Sequence, residues 1–344
     1  MPKELTFAVK APNWLGDAVM ALPALSSVAA CSRRGRVLVL GSDVSAGLLS
    51  RIEGTLPYAV TRPGGGLLES ARAIARGSRA LREFGPVMAL SLTVSFTSAA
   101  MLYAGRVPRR IGFQDAAGAL LYTDRVRRPP RRSTHLIDTF NALVQSIGIP
   151  VDNRIPHLAP TETDLGAGRD LLGAEGLGPD SYICLFPGAR YGPAKMWPAR
   201  RFGLLGDMIA GKFGRTVVLL GGRQERSACE AVRQQMSEQD VVNLCGRTDL
   251  SSLIGLLWFS GGVVSNDSGG MHLAAALGKP VVGLFFSTDP AWTGPVSDSS
   301  AAIYKGMDCS PCFERDCRKG NICTESIGEQ EVMETLARVA RLRV

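Results

Sequence analysis

Tyr182-Ile183-Cys184-Leu185-Phe186-Pro187-Gly188-Ala189-Arg190-Tyr191-Gly192-Pro193-Ala194-Lys195-Met196-Trp197-Pro198 is an apolar run of strand length that breaks into a loop punctuated by Gly and Pro. The run reads as a buried strand and the residues beyond Pro198 as a helix, so the loop lies at the strand's carboxyl end. Small residues there let backbone N–H groups approach a phosphate, and Lys195 adds a point charge.

The same strand-to-helix change recurs outward from this stretch. In the second half, residues 182–186, 216–220, 241–243, 262–265 and 281–286 read as strands. In the first half, residues 5–11, 36–40, 58–60 and 87–92 do so, with helix-period segments between them. Such alternation predicts an α/β fold with mainly parallel sheets and helices on both faces. A stretch at 149–163 with Pro150, Pro156 and Pro160 reads as a linker. The expected domains are 1–155 and 156–344, and ligands of open parallel sheets bind beyond the carboxyl ends of the strands. No internal repeat or low-complexity segment is evident.

Two more strand-to-helix junctions carry polar residues. Ser265-Asn266-Asp267-Ser268-Gly269-Gly270-Met271-His272 puts free N–H groups at a helix start, which with the helix dipole suits a pyrophosphate. Asp267 can accept hydrogen bonds from sugar or ribose hydroxyls; for His272, a ligand contact and plain helix packing stand equally open. Ala11-Pro12-Asn13-Trp14-Leu15-Gly16-Asp17 follows the first strand, with Gly16 allowing a close turn and Asp17 at a helix start. Asp in that place is commonly an N-terminal cap.

The 344 residues are 45% hydrophobic and 20% charged, a globular composition long enough for two domains. The apolar stretch after Lys10 contains Asp17 and no clean cleavage site follows it, so it is not read as a signal peptide. Residues 87–105 carry five Ser or Thr and read as a buried strand and helix rather than a membrane span. A cytosolic protein is expected. Charge is uneven: residues 1–150 hold 19 Lys and Arg against 9 Asp and Glu. The excess lies in Arg72, Arg76, Arg79, Arg82, Arg106, Arg109, Arg110, Arg125, Arg127, Arg128, Arg131 and Arg132. Singly these read as solvated surface; together they attract an anionic membrane face or acidic glycolipid. Nucleic acid is not an expected partner, because no recognition motif accompanies the charge.

On these three junctions the chain resembles the bacterial ADP-heptose:lipopolysaccharide heptosyltransferases of glycosyltransferase family 9, most closely the heptosyltransferase II group. Residues 187–198 are the most specific part, and residues 266–280 the next. The resemblance implies a glycosyltransferase-B fold of two facing Rossmann-like domains, acceptor in the first and nucleotide sugar in the second, with the C-terminal helix packing back on the first. It implies inverting, metal-independent transfer of L-glycero-D-manno-heptose from ADP-heptose to the first heptose of the lipopolysaccharide inner core. The acceptor is then Kdo-lipid A bearing heptose, and the protein sits peripherally at the cytoplasmic face of the inner membrane. No cofactor is implied.

By the same carry-over, Asp17 matches the general base and Lys195 the phosphate-contacting lysine, both catalytic. Gly16, Gly188, Ala189, Arg190 and Tyr191 match donor-binding positions. Asp267, Ser268, Gly269, Gly270, Met271 and His272 match the donor-binding turn. Gly246, Arg247 and Thr248 fall where the backbone meets the adenine, and Arg223 and Glu225 near the ribose. Asn13, Trp14 and Asp17, with the basic first lobe, match the acceptor side. An inverting transfer needs a base for the acceptor proton and stabilisation of the leaving diphosphate, which Asp17 and Lys195 with the Ser268 to Met271 N–H groups can supply. No Asp-x-Asp occurs in the chain, which favours a route without metal.

Cys309, Cys312, Cys317 and Cys323 form a C-x₂-C-x₄-C-x₅-C cluster. Four thiolates suit zinc or iron–sulfur, yet the spacing matches neither paired zinc-ribbon CxxC units nor a ferredoxin run, and no metal site is assigned. Similar clusters accompany the heptosyltransferase II pattern. Cys31, Cys184, Cys229 and Cys245 read as small core residues. Two alternatives remain: a heptosyltransferase of the same family acting on Kdo or a later core sugar, and a non-catalytic nucleotide-binding protein. A dehydrogenase would want G-x-G-x-x-G after the first strand, which Gly16 does not complete.

Overall fold

The computed structural model describes residues 6–32, 36–61, 66–237 and 240–342. It divides into two compact units, residues 1–158 and 159–344. The break falls in a stretch without regular structure that runs from Ile149 to Thr161, where the sequence reading puts the boundary at 155/156.

Six strands form the first unit's sheet: β1 (Phe7–Lys10), β2 (Val37–Ser42), β3 (Thr55–Thr61), β4 (Met88–Ser91), β5 (Arg109–Phe113) and β6 (Asp124–Val126). Their order is β3-β2-β1-β4-β5-β6, and every pairing is parallel. Phe7 stands opposite both Val37 and Met88, so β1 is the central strand. Every residue of β1 and β2 is buried, the mark of a parallel sheet covered by helices on both faces. Leu81, Met101 and Leu102 from the helices Leu67–Phe84 and Phe96–Ala104 close one face over Ala8, Leu38 and Ala89.

The second unit repeats the plan. Its strands are β7 (Tyr182–Phe186), β8 (Thr216–Leu219), β9 (Val241–Asn243), β10 (Val263–Asn266), β11 (Val281–Phe285) and β12 (Ser300–Tyr304). Their order β12-β11-β10-β7-β8-β9, again all parallel, is the order of the first sheet when counted from β7. The core gathers Ile183, Leu185, Val217, Val264 and Val282 under Trp197 and Phe202, whose rings meet edge to face at 5.0 Å. The last helix, Glu329–Ala340, packs on the helix Ala199–Phe213 and on β11 and β12 of this same unit.

In each sheet the strand order reverses beside the central strand, between β1 and β4 and between β7 and β10. Open parallel sheets bind ligands at the carboxyl end of that switch point. Nine strands lie where the sequence places them, within a few residues, although Leu5 falls outside the described residues. The strands β5, β6 and β12 have no counterpart among the apolar runs of the sequence. No described helix is long and apolar enough to cross a membrane.

Candidate functional site

In the second unit the loops after β7 and β10 flank the switch point and carry the two polar motifs. Lys195 ends a single 3₁₀ turn, Pro193–Lys195, and its ammonium reaches Asp267 Oδ2 at 2.5 Å. The pair is nearly enclosed, with the Lys195 side chain 13% and Asp267 6% exposed. Asp267 is fixed from behind: the Thr288 hydroxyl donates to Oδ2 at 2.7 Å and the Thr293 hydroxyl at 3.4 Å. Lys195 Nζ also lies 4.9 Å from the centre of the Tyr191 ring. His272 is buried with Nε2 3.9 Å from Asp267 Oδ1, beyond hydrogen-bonding distance.

Asn266, the last residue of β10, locks the two loops together. Its Oδ1 accepts from Trp197 N at 3.0 Å and its Nδ2 donates to Pro187 O at 2.7 Å, all of it buried. The helix Gly269–Ala276 starts directly after Asp267, with Ser268 as its extended N-cap residue. The N–H groups of its first turn have no partner within the helix, leaving them to an anion. Met271 is fully buried, so only its backbone can face a ligand.

Beside this pair a cavity of about 480 Å³ opens between the loops after β7 and β8. Gly188, Ala189, Arg190, Arg223 and Glu225 line it, as does Met196, together with Gln224, Ser227 and Ala228, which carry no motif signal in the sequence. A Cβ at Gly188 would sit 2.5 Å from Glu225 Oε1, so only glycine lets the two loops approach this closely. Glu225 closes its own turn by accepting from Gly222 N at 2.7 Å. Gly246 packs behind the loop after β8: its N–H donates to Gly221 O at 2.9 Å, and its Cα faces Arg223. Arg247 pairs with Glu175 at 2.5 Å, and Thr248 after it is half-buried.

In the first unit, Asp17 is the third residue of the helix Leu15–Met20, and Trp14 holds the N-cap position without a side-chain cap. Asp17 is thus not the cap that its place in the sequence suggests. A carboxylate in a first helical turn is favoured by the helix dipole. The turn before it is held firmly. Lys10 Nζ donates to Ala11 O at 2.6 Å and to Asn13 Oδ1 at 3.1 Å, and the Ser42 hydroxyl donates to Asn13 O at 2.8 Å. Lys10 is fully buried, and desolvation lowers its ammonium pKa from 10.5 to about 7. Trp14 is exposed, while Gly16 and Asp17 are half-buried.

The basic surface of this unit is partly neutralised. Arg76 pairs with Glu69, Arg79 with Glu83, Arg109 with Asp124 and Arg128 with Asp115, while Arg82 and Arg110 bond backbone carbonyls. Arg72, Arg106, Arg125 and Arg127 stand exposed. Cys184, Cys229 and Cys245 are buried as expected, but Cys31 is exposed: it ends the helix Leu22–Cys31 and turns to solvent. Among the described residues, no three His, Cys, Asp or Glu side chains converge as metal ligands.

Two doubly wound units of the same topology in tandem are the architecture of the glycosyltransferases of the B type. The solved structure of E. coli ADP-heptose lipopolysaccharide heptosyltransferase II matches with a TM-score of 0.78 at 24% identity, covering 98% of both chains, which shows that fold. The lipooligosaccharide heptosyltransferase 2 of Haemophilus ducreyi and the lipopolysaccharide heptosyltransferase 2 of Escherichia coli K12 are each 28% identical over 85% of this chain and 86% of their own. The model of glycosyltransferase family 9 (heptosyltransferase) matches residues 74–323, and the chain belongs to that family.

Proposed function

We propose that this glycosyltransferase moves L-glycero-D-manno-heptose from ADP-heptose to the first heptose of the lipopolysaccharide inner core, inverting the anomeric carbon without a catalytic metal. The observation that carries the reading is the nearly enclosed Lys195–Asp267 pair, whose loop continues through Met196 into the cavity lined by Arg190, Arg223 and Glu225. A diphosphate suits the lysine and the N–H groups of the helix Gly269–Ala276, and a nucleoside suits the cavity. The similarity to the two heptosyltransferase 2 enzymes supports the choice of sugar and step.

In this reading the acceptor hydroxyl attacks the anomeric carbon and its proton passes to Asp17. The bond from that carbon to the diphosphate oxygen breaks, and ADP leaves with its growing negative charge met by Lys195 and the helix N–H groups. Asp267 orients the sugar, and Glu225 with Arg223 the ribose. Asn13 and Trp14 serve the acceptor, and the exposed arginines of the first unit draw an anionic glycolipid at a membrane face.

The test is calorimetric titration of ADP-heptose, ADP and adenosine into the wild type and Lys195→Ala. Hydrogen bonds to charged groups contribute about 1.5–3 kcal/mol, so both diphosphates should weaken by roughly 10- to 150-fold. The upper end is expected, because Asp267, still held by Thr288, would then face the diphosphate without its counter-charge. Adenosine should bind unchanged. Equal losses for all three ligands would rule out a phosphate role for Lys195.

A further inference from the structure

The Cys-rich residues 309–323, to which the transfer chemistry gives no part, run between the loop after β7, which carries Lys195, and the loop after β11, whose Thr288 hydrogen-bonds Asp267. Toward the loop after β11, Phe313 N donates to Ser287 O at 2.7 Å, the Ser310 hydroxyl bonds Phe286 O, and the Phe313 ring meets Trp292 edge to face at 5.6 Å. That loop supplies Thr288, which fixes Asp267. Toward the loop after β7, the contacts concentrate on Tyr191. Its hydroxyl donates to Phe313 O at 2.7 Å, and its carbonyl accepts from Arg315 Nε at 2.7 Å. The Arg315 carbonyl takes Ala194 N–H at 3.1 Å, directly before Lys195.

The fit is tight and locally strained. A Cβ at Gly192 would lie 2.4 Å from Arg315 O, so no other residue lets the two segments of this contact close. Phe313 adopts φ 58°, the left-handed region that non-glycine residues rarely enter and keep only when surrounding contacts impose it. The Tyr191 ring then lies near two cations, Arg315 at 5.7 Å and Lys195 at 4.9 Å. Cys317 Sγ accepts the N–H groups of Lys319 and Asn321, both at 3.3 Å, which closes the turn behind Arg315.

We propose that residues 313–315 are a strap that sets the Lys195 ammonium for the donor diphosphate, with Arg315 as its positioning residue and Tyr191 as the ring through which it acts. Loss of the Arg315 side chain frees the Tyr191 carbonyl and removes one cation from the ring, so the ring no longer holds a fixed place beside Lys195. The diphosphate part of this inference rests on the ADP-heptose reading; the positioning of Lys195 does not.

The experiment uses the full chain as wild type, Arg315→Ala, Arg315→Lys and Tyr191→Leu. One readout is the rate at which an amine-acetylating reagent modifies Lys195 in the free protein, followed by peptide mass spectrometry with exposed Lys212 as control. Arg315→Ala and Tyr191→Leu should both speed modification of Lys195 severalfold and leave Lys212 unchanged. The second readout is calorimetry: Arg315→Ala should weaken ADP by about 5- to 30-fold, with adenosine unaffected. In a Lys195→Ala background the same change should add less than about twofold, because the two residues act as one unit. Arg315→Lys, which keeps a cation and a donor, should recover most of both effects. Unchanged Lys195 labelling in both Arg315→Ala and Tyr191→Leu overturns the strap, as does full additivity with Lys195→Ala. A wild type that binds no ADP refutes the donor reading alone, and the labelling rates still decide the strap.

Discussion

Asn266→Ala removes a buried side chain at the end of β10 that hydrogen-bonds both ends of the Lys195 loop. The change leaves Trp197 N–H and Pro187 C=O without their partners in a buried place. An unsatisfied buried donor or acceptor costs about 1–3 kcal/mol, so the two together cost roughly 2–6 kcal/mol, with about 3 kcal/mol a reasonable centre. For a unit of this size each kcal/mol moves the midpoint by about 2–4 °C, giving a fall of roughly 6–12 °C. The assay is scanning calorimetry with and without ADP; the transition that ADP raises belongs to the unit that binds it. Asn266→Asp should be no better than alanine. It can still accept from Trp197, but it sets an oxygen against the Pro187 carbonyl at the 2.7 Å now spanned by a hydrogen bond. ADP affinity should fall in both variants, because the Lys195 loop is released. A midpoint within about 2 °C of wild type would mean that the loop is held by other contacts and that this reasoning is wrong.

Three further outcomes follow from the first unit. Asp17→Asn keeps size and most hydrogen bonding but cannot take a proton, so turnover should fall by about 10²–10⁴-fold while ADP affinity holds; near wild-type turnover would remove Asp17 from the chemistry. Lys10, with its pKa lowered to about 7 in the fold, binds fewer protons there than in the unfolded chain between about 7 and 10.5. Stability should therefore climb as pH rises through that window, by at most about 1.4 kcal/mol per pH unit, and stay flat below it. Lys10→Met should abolish that climb in urea unfolding; an unchanged pH slope would show that Lys10 is solvated. Raising salt should increase the acceptor KM far more than the donor KM, since exposed charges are screened over about 8 Å at physiological ionic strength. Charge reversal at exposed Arg127 and Arg125 should mimic the salt, and unaffected acceptor kinetics would reduce these arginines to solvated surface.

What is legible in the sequence is local. The strands β7 and β11 announce themselves as unbroken apolar runs ending in Gly- or Pro-marked loops, and the apolar pair that opens β10 leads into the polar motif at 265–272, so the residue pattern alone puts Lys195 and Asp267 at strand ends. The strands β5, β6 and β12 escape because they lie at or next to a sheet edge and carry Arg109, Arg110, Asp124 or Ser300 where a buried strand would be apolar. The shared strand order of the two sheets leaves no sequence repeat, since topology is kept by pairing rather than by particular side chains. Residues that act across long separations are also invisible. Thr288 and Thr293 reach Asp267 from a different loop, and Arg315 reaches Tyr191 from beyond β12. The only sequence signal for the threonines is their place after a predicted strand. Asn266 stands inside a recognisable motif, but its role depends on two backbone groups that a sequence does not bring together. Lys10 shows itself as a charge closing an otherwise apolar strand, and Asp17 needs the helix register before the capping reading can be set aside.

The most direct test of the whole account is the mass of the product. The full chain is incubated in EDTA with ADP-heptose and a panel of acceptors: Kdo-lipid A, Kdo-lipid A bearing one heptose, and longer truncated cores. The account predicts one added heptose on the singly heptosylated acceptor and none on Kdo-lipid A, at a rate that chelator leaves unchanged. Addition to Kdo-lipid A instead, addition only to the longer cores, or activity that returns only with added magnesium or manganese would contradict it.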